Sequence, residues 1–113
     1  MLGKYLSYIY CVLFAVFITS CGTQLYIPGE SEEIYIQQQQ SKFTVEDLRQ
    51  GRTLYVNACA GCHYLHYPDE FTIAEWNRIY PEMKTRVYLE TNALDQIYFY
   101  LITGAKDAQL NSQ

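Results

Sequence analysis

The apolar positions of this chain fall into three regimes along its length. From Tyr5 to Ile18 they are nearly continuous, including Ile9, Val12, Leu13, Phe14, Val16, Phe17 and Ile18, and Lys4 is the only charge before position 30. These 14 residues match the roughly 7–15 of an export-signal hydrophobic region and fall short of the roughly 20 of a spanning helix. From Gly22 to Lys42 no period is sustained: Pro28-Gly29, the acidic Glu30-Ser31-Glu32-Glu33 and the polar run Gln37 to Gln40 follow one another. From Phe43 to Asp107 three short helical patterns appear. Thr44 with Asp47 marks the first start, an imperfect capping box, and Leu48, Gly51, Tyr55, Ala58 and Cys62 follow at helical spacing. Thr72-Ile73-Ala74-Glu75 is a full capping box leading to Trp76, Ile79 and Tyr80, with Pro81 predicted to end or kink that helix. Thr91 opens the last pattern, in which Leu94, Ile97, Tyr98, Leu101 and Ile102 share one face and Gly104 is placed as the C-cap. With no strand alternation, internal repeat or βαβ unit, the predicted fold class is all-α.

The leader ends in Ile18-Thr19-Ser20-Cys21-Gly22, an apolar residue, two small ones and a Cys. This resembles the lipobox of bacterial lipoproteins, in which the Cys is acylated and becomes the first residue of the mature chain. The expected organisation is therefore a signal peptide over 1–20, a lipidated Cys21 with a tether over 21–42, and a domain over 43–113. An ordinary cleaved signal or an uncleaved anchor are the alternatives, and each also places the domain outside the cytoplasm. A flexible tether over 22–42 would span about 25 Å on average and at most about 70–75 Å. The alternative is an arm packed on the domain through Tyr26, Ile34, Tyr35 and Ile36.

Composition narrows the function. The 113 residues hold one small domain, with 8 Lys+Arg against 12 Asp+Glu for a formal charge of −4. No basic cluster occurs, which argues against a nucleic-acid partner. Half the residues are hydrophobic and Tyr alone accounts for 12, so the chain is not disordered by composition. About 65 residues in three helices make a thin core, of a size that usually needs a staple.

The staple is indicated by Cys59-Ala60-Gly61-Cys62-His63, a C-x-x-C-H motif of the kind that attaches c-type haem. Two thiols three residues apart on one helical turn can reach the two vinyl groups of one porphyrin, and the following His can bind the iron. Cys11 leaves with the signal and Cys21 is blocked by lipid. Two rivals are a zinc site built from Cys59, Cys62, His63 and His66, disfavoured because Cys62 and His63 are adjacent, and a thioredoxin-like dithiol, which lacks its βαβ context.

From Thr44 to Lys106 the chain resembles a small monohaem bacterial cytochrome c, and Gly51-x-x-Leu54-Tyr55-x-x-x-Cys59-x-x-Cys62-His63 is similar to that family's first helix. The resemblance implies a cytochrome c-like domain of about three short helices wrapped around one covalent haem c. It implies thioethers to Cys59 and Cys62, His63 as proximal iron ligand, and close packing of Gly51 against Tyr98, Phe99 or Tyr100 of the last helix. A Met normally supplies the sixth ligand, which here means Met83, since Met1 leaves with the signal; a core Met filling a gap is the alternative role. His66 competes for that position, although a surface or propionate-contacting role suits it better. Larger members of the family carry a Gly-Pro loop after the motif whose Pro carbonyl holds the proximal His; the chain departs from this, with only Pro68, five residues past His63, to serve that role. Tyr64, Tyr67, Phe71, Trp76, Tyr80 and Phe99 are candidates to wall the porphyrin, and Trp76, Arg78 or Arg86 to meet its propionates.

The expected function is one-electron transfer by an exported, membrane-tethered carrier facing the periplasm or cell exterior, not an enzyme by itself. Its expected partners are redox proteins of a respiratory or dehydrogenase chain and the membrane. The alternatives are a haem subunit of an oxidoreductase complex, or a sensor or peroxidase-like protein with a labile sixth ligand.

Overall fold

A computed structural model describes residues 1–16, 24–38, 41–62 and 64–108, and all regular structure among them is helical. The helices are α1 (Leu2–Val16), α2 (Glu30–Gln38), α3 (Val45–Cys59), α4 (Ile73–Met83) and α5 (Thr91–Thr103), with 3₁₀ turns at Pro68–Glu70 and Lys84–Arg86. The fold class is all-α.

Helix α1 covers the start of the apolar leader, and its side chains from Leu2 to Val12 are exposed. Fifteen residues extend about 22 Å, less than the ~30 Å of a bilayer core. No helix among the described residues is long and apolar enough to cross a membrane.

The three domain helices start where local chemistry directs. At Thr44 a complete capping box forms: Asp47 N–H donates to Thr44 Oγ1 (3.2 Å) and Thr44 N–H to Asp47 Oδ2 (2.8 Å). The shorter Asp thus closes the box as Glu does at the next helix, where Thr72 N–H donates to Glu75 Oε2 at 2.9 Å. Helix α4 continues through Pro81 to Met83 before giving way to the 3₁₀ turn, so Pro81 does not end it. Near a helix C-terminus, a missing N–H costs one hydrogen bond instead of disrupting a long ladder.

Helices α3 and α5 cross at Gly51. A Cβ there would overlap the carbonyl oxygen of Gln96 and come within 2.6 Å of its carbonyl carbon and 3.1 Å of Tyr100 Cβ. One turn away Gln96 Nε2 donates to Asp47 Oδ1 (2.9 Å), and on the other side Tyr55 packs on Tyr100 with ring centres 6.1 Å apart. Tyr55, Trp76, Ile97, Tyr100, Leu101, Ala105 and Ala108 form the core, and each large side chain buried there contributes roughly 1.5–3 kcal/mol. The chain after α5 folds back to close the bundle: Lys106 N–H donates to Phe71 O (3.0 Å), and Asp107 Oδ1 accepts from Ile73 N–H (2.8 Å) at the start of α4.

The segment read as a tether is, over Gln24–Gln38, packed on the domain. Tyr26 stacks on Tyr100 (4.8 Å, 5° between planes), Pro28 is fully buried, and α2 buries Ile36. Glu30, Glu32 and Glu33 lie in the first turn of α2, where carboxylates favour the helix dipole. Of the four apolar residues expected to pin an ordered arm, Tyr26 and Ile36 do so, whereas Ile34 is 59% exposed. The polar composition concealed this because few residues anchor the arm, and most of the holding groups are backbone carbonyls.

Candidate cofactor-attachment site

Helix α3 ends at Cys59, and Ala60 keeps right-handed helical geometry (φ −65°, ψ −16°), carrying the turn on to Cys62. The two cysteines therefore stand about one turn apart, Cys59 half-buried and Cys62 exposed, both as free thiols. Both open into one cavity of about 510 Å³, within the ~300–1,000 Å³ usual for small-molecule and cofactor sites.

The rest of the described lining comes from Ala58, α4 and the turn after it. Ile79 and Met83 line the cavity from successive turns of α4, Val87 follows, and Arg78, Glu82 and Arg86 also border it. Arg86 Nη2 is paired with Glu82 Oε1 at 3.0 Å, both largely exposed. Met83 also borders a small void of about 10 Å³ together with Cys59, Tyr55 and Tyr80. Because α4 runs past Pro81, Met83 is the helix's last residue and lines the same cavity as the cysteines. Val87 and Glu82 were not singled out by sequence pattern; Glu82 immediately precedes Met83 and Val87 lies four residues after it.

Burial, and then the neighbouring Cys62, pushes the Cys59 thiol up. The Tyr55 and Tyr80 phenols are likewise raised by burial; Tyr55 Oη donates to His66 O (3.0 Å) and Tyr80 Oη to Leu94 O (2.5 Å). Both are held as neutral donors that shape the floor beneath Cys59.

His66 belongs to a separate small cluster. Its Nδ1 lies 2.8 Å from Glu70 Oε2, and its ring packs against Phe71 (5.1 Å) and Tyr64 (4.8 Å). The hydrogen bond from His66, followed by that from Tyr67 N–H, holds the Glu70 carboxyl below the usual range. His66 is not among the described residues lining the cavity.

No described residue lining the cavity is aromatic. Phe99 packs on Phe43 (4.3 Å), Tyr64 is 73% exposed, and Tyr80 borders the small void. Trp76 is fully buried with Nε1 donating to Pro68 O at 2.8 Å, so its N–H is committed inside the core and does not serve a propionate. The carbonyl of Pro68 is thereby fixed in place. His63 and Cys21 lie outside the described residues.

The residues present fit a covalently held porphyrin: two thiols, an apolar wall carrying a thioether, and arginines at the border converge on one cavity of cofactor size. Among the described residues no three His, Cys, Asp or Glu side chains converge; His63, a member of the zinc alternative, lies outside them. No family model, curated protein or solved structure matches the chain.

Proposed function

We propose that the chain is a one-electron carrier using one covalently bound c-type haem in a cytochrome c-like domain, with α3, α4 and α5 wrapped around that group. In this reading Cys59 and Cys62 form the thioethers, His63 and Met83 are the axial ligands, and lipid on Cys21 tethers the exported protein to a membrane. The observation that carries it is that Cys59, Cys62 and Met83 line one and the same cavity.

When bound, the haem supplies a reversible Fe(II)/Fe(III) couple. The chain's residues do the rest. Ile79 and Val87 exclude water from one wall, which favours the reduced state. Arg78 and Arg86 offer cations suited to carboxylates at the border. In this reading the iron would take both its protein ligands from the chain, and the protein would act as an electron carrier and not as an enzyme by itself. The acidic chain, at −4 overall, suits partners of a respiratory or dehydrogenase chain with a basic docking patch, whether it acts as a free shuttle or as a subunit of a complex.

The test is the optical spectrum, oxidised and reduced, of protein produced with haem-maturation machinery, together with a denatured sample to establish covalent attachment. Covalent, low-spin haem with the weak Met–iron charge-transfer band of the oxidised state is expected. High-spin haem that shifts on adding carbon monoxide or cyanide overturns the carrier in favour of a sensor or peroxidase-like protein. Folded protein without covalent haem overturns the haem reading altogether.

A further inference from the structure

The arm preceding α2 is tied by long-range hydrogen bonds to both α3 and α5. Tyr26 Oη donates to Tyr100 O (2.8 Å) and lies 2.8 Å from Thr103 Oγ1, while Tyr100 Oη donates back to Tyr26 O (3.2 Å). Arg52 donates to Leu25 O through Nε and Nη2 (both 3.4 Å), and Arg49 Nε to Pro28 O (3.2 Å). The Tyr26 ring lies in a notch that exists only because residue 104 is glycine: a Cβ there would overlap that ring and come 2.7 Å from Pro68 Cβ. Between the tied Tyr26 and the fully buried Pro28, Ile27 is 63% exposed. It is an apolar side chain held outward by a fixed backbone.

We propose that residues Leu25–Pro28 form a rigid strap, and that the strap seats the domain on a lipid surface through Ile27 in one orientation. The proposal rests on the reading of Cys21 as the lipidated residue. Tyr26 lies five positions after Cys21, a reach of at most about 18 Å, against the ~70–75 Å available if the whole of 22–42 were free. A lipid on Cys21 therefore keeps the strap beside the bilayer, and the short reach together with the fixed backbone makes a lipid surface the occupant that meets Ile27. Because the backbone on both sides of Ile27 is already ordered, little conformational entropy is lost when that side chain enters the headgroup region. Glu30 and Glu33 are exposed one turn further on, so contact is stronger on zwitterionic than on anionic lipid. The cavity, bordered by the end of α3 and by α4, is thus presented to partners at a set height and angle.

The experiment uses the full-length, lipidated, haem-loaded protein in phosphatidylcholine vesicles. A nitroxide is attached at Ile27→Cys in one sample and, as a reference, at Tyr88→Cys in another; Tyr88 is fully exposed. The strap label is expected to be several-fold less accessible to a water-soluble relaxant than the reference and more accessible to oxygen. Tyr26→Phe, which keeps the ring stack, should weaken that difference, and phosphatidylglycerol should reduce it. Equal accessibility at the two positions overturns the seating. Rapid amide exchange at residues 25–28, as fast as in an unfolded peptide, overturns the strap itself. Intact mass without lipid on Cys21 overturns the anchor reading instead, whatever the exchange of the strap.

Discussion

The carbonyl oxygen of Gln96 occupies the space that a side chain on Gly51 would require. This backbone-to-backbone approach sets the distance at which α3 and α5 cross. It brings Asp47 onto the Gln96 amide and Tyr55 onto Tyr100, and it fixes the far end of α3, where Cys59 opens into the cavity.

Gly51→Ala is therefore expected to destabilise the domain by about 1–3 kcal/mol, even though Ala favours a helix interior over Gly by about 1 kcal/mol. The obstacle is backbone, which cannot rotate aside. Gly61→Ala is the control, because a Cβ there meets nothing within 4 Å. Urea denaturation of both variants measures the difference, and equal midpoints would remove the crossing as the explanation.

Trp76→Phe should cost about 1–3 kcal/mol, since it leaves the buried Pro68 carbonyl without its donor and the core with a void. Pro68 follows the Cys59–His63 motif closely, so a change in the haem spectrum at unchanged haem content is expected alongside. A stability loss with an identical spectrum would confine Trp76 to a packing role.

Acid should weaken the α3–α5 junction. The Asp47 carboxyl is held below its usual range, first by the backbone N–H of Thr44 and then by the Gln96 and Thr44 side chains, against a desolvation effect of opposite sign. A depressed pKa in the folded state means stability present above the unfolded value, near 3.9, and lost as pH falls through the folded value. Unfolding free energy measured from pH 7 down to pH 3 should fall at the acid end. Asp47→Ala should lower the neutral plateau by about 1 kcal/mol through loss of the cap and flatten that fall. An unchanged slope would assign the acid sensitivity to Glu70 or Glu75 instead, whose carboxyls are also held low by hydrogen bonds.

On the proposed ligation, Met83→Ala should retain the covalent haem but lose the charge-transfer band, turn high-spin or bind an exogenous ligand, and lower the reduction potential. His66→Ala should leave all three unchanged, because His66 faces Glu70 and not the cavity. A reversal of the two results would make His66 the ligand.

Much of the all-α framework was legible from local signals. Thr44 and Thr72 cap the helices their spacing marks, and Thr91 begins the last one. These are interactions within four residues of one another, so they are written in the order of the chain. The cysteine pair and its spacing are local in the same sense. Gly104 shows where that reading stops. It does lie at the C-cap, but its φ of −89° is right-handed, so it does not serve the left-handed turn that a C-terminal glycine usually supplies. It is needed because Tyr26, 78 residues earlier, and Pro68 press against its Cα.

By itself, then, the sequence determined helix starts, the apolar leader, the C-x-x-C-H motif and the helical class, each a property of neighbouring residues. Only the tertiary structure decided that the supposed tether is strapped down at Tyr26, that Trp76 serves Pro68, and that Met83 shares a cavity with Cys59 and Cys62. Those outcomes depend on long-range packing around two glycines, and a missing side chain signals nothing until the partner that fills its space is known.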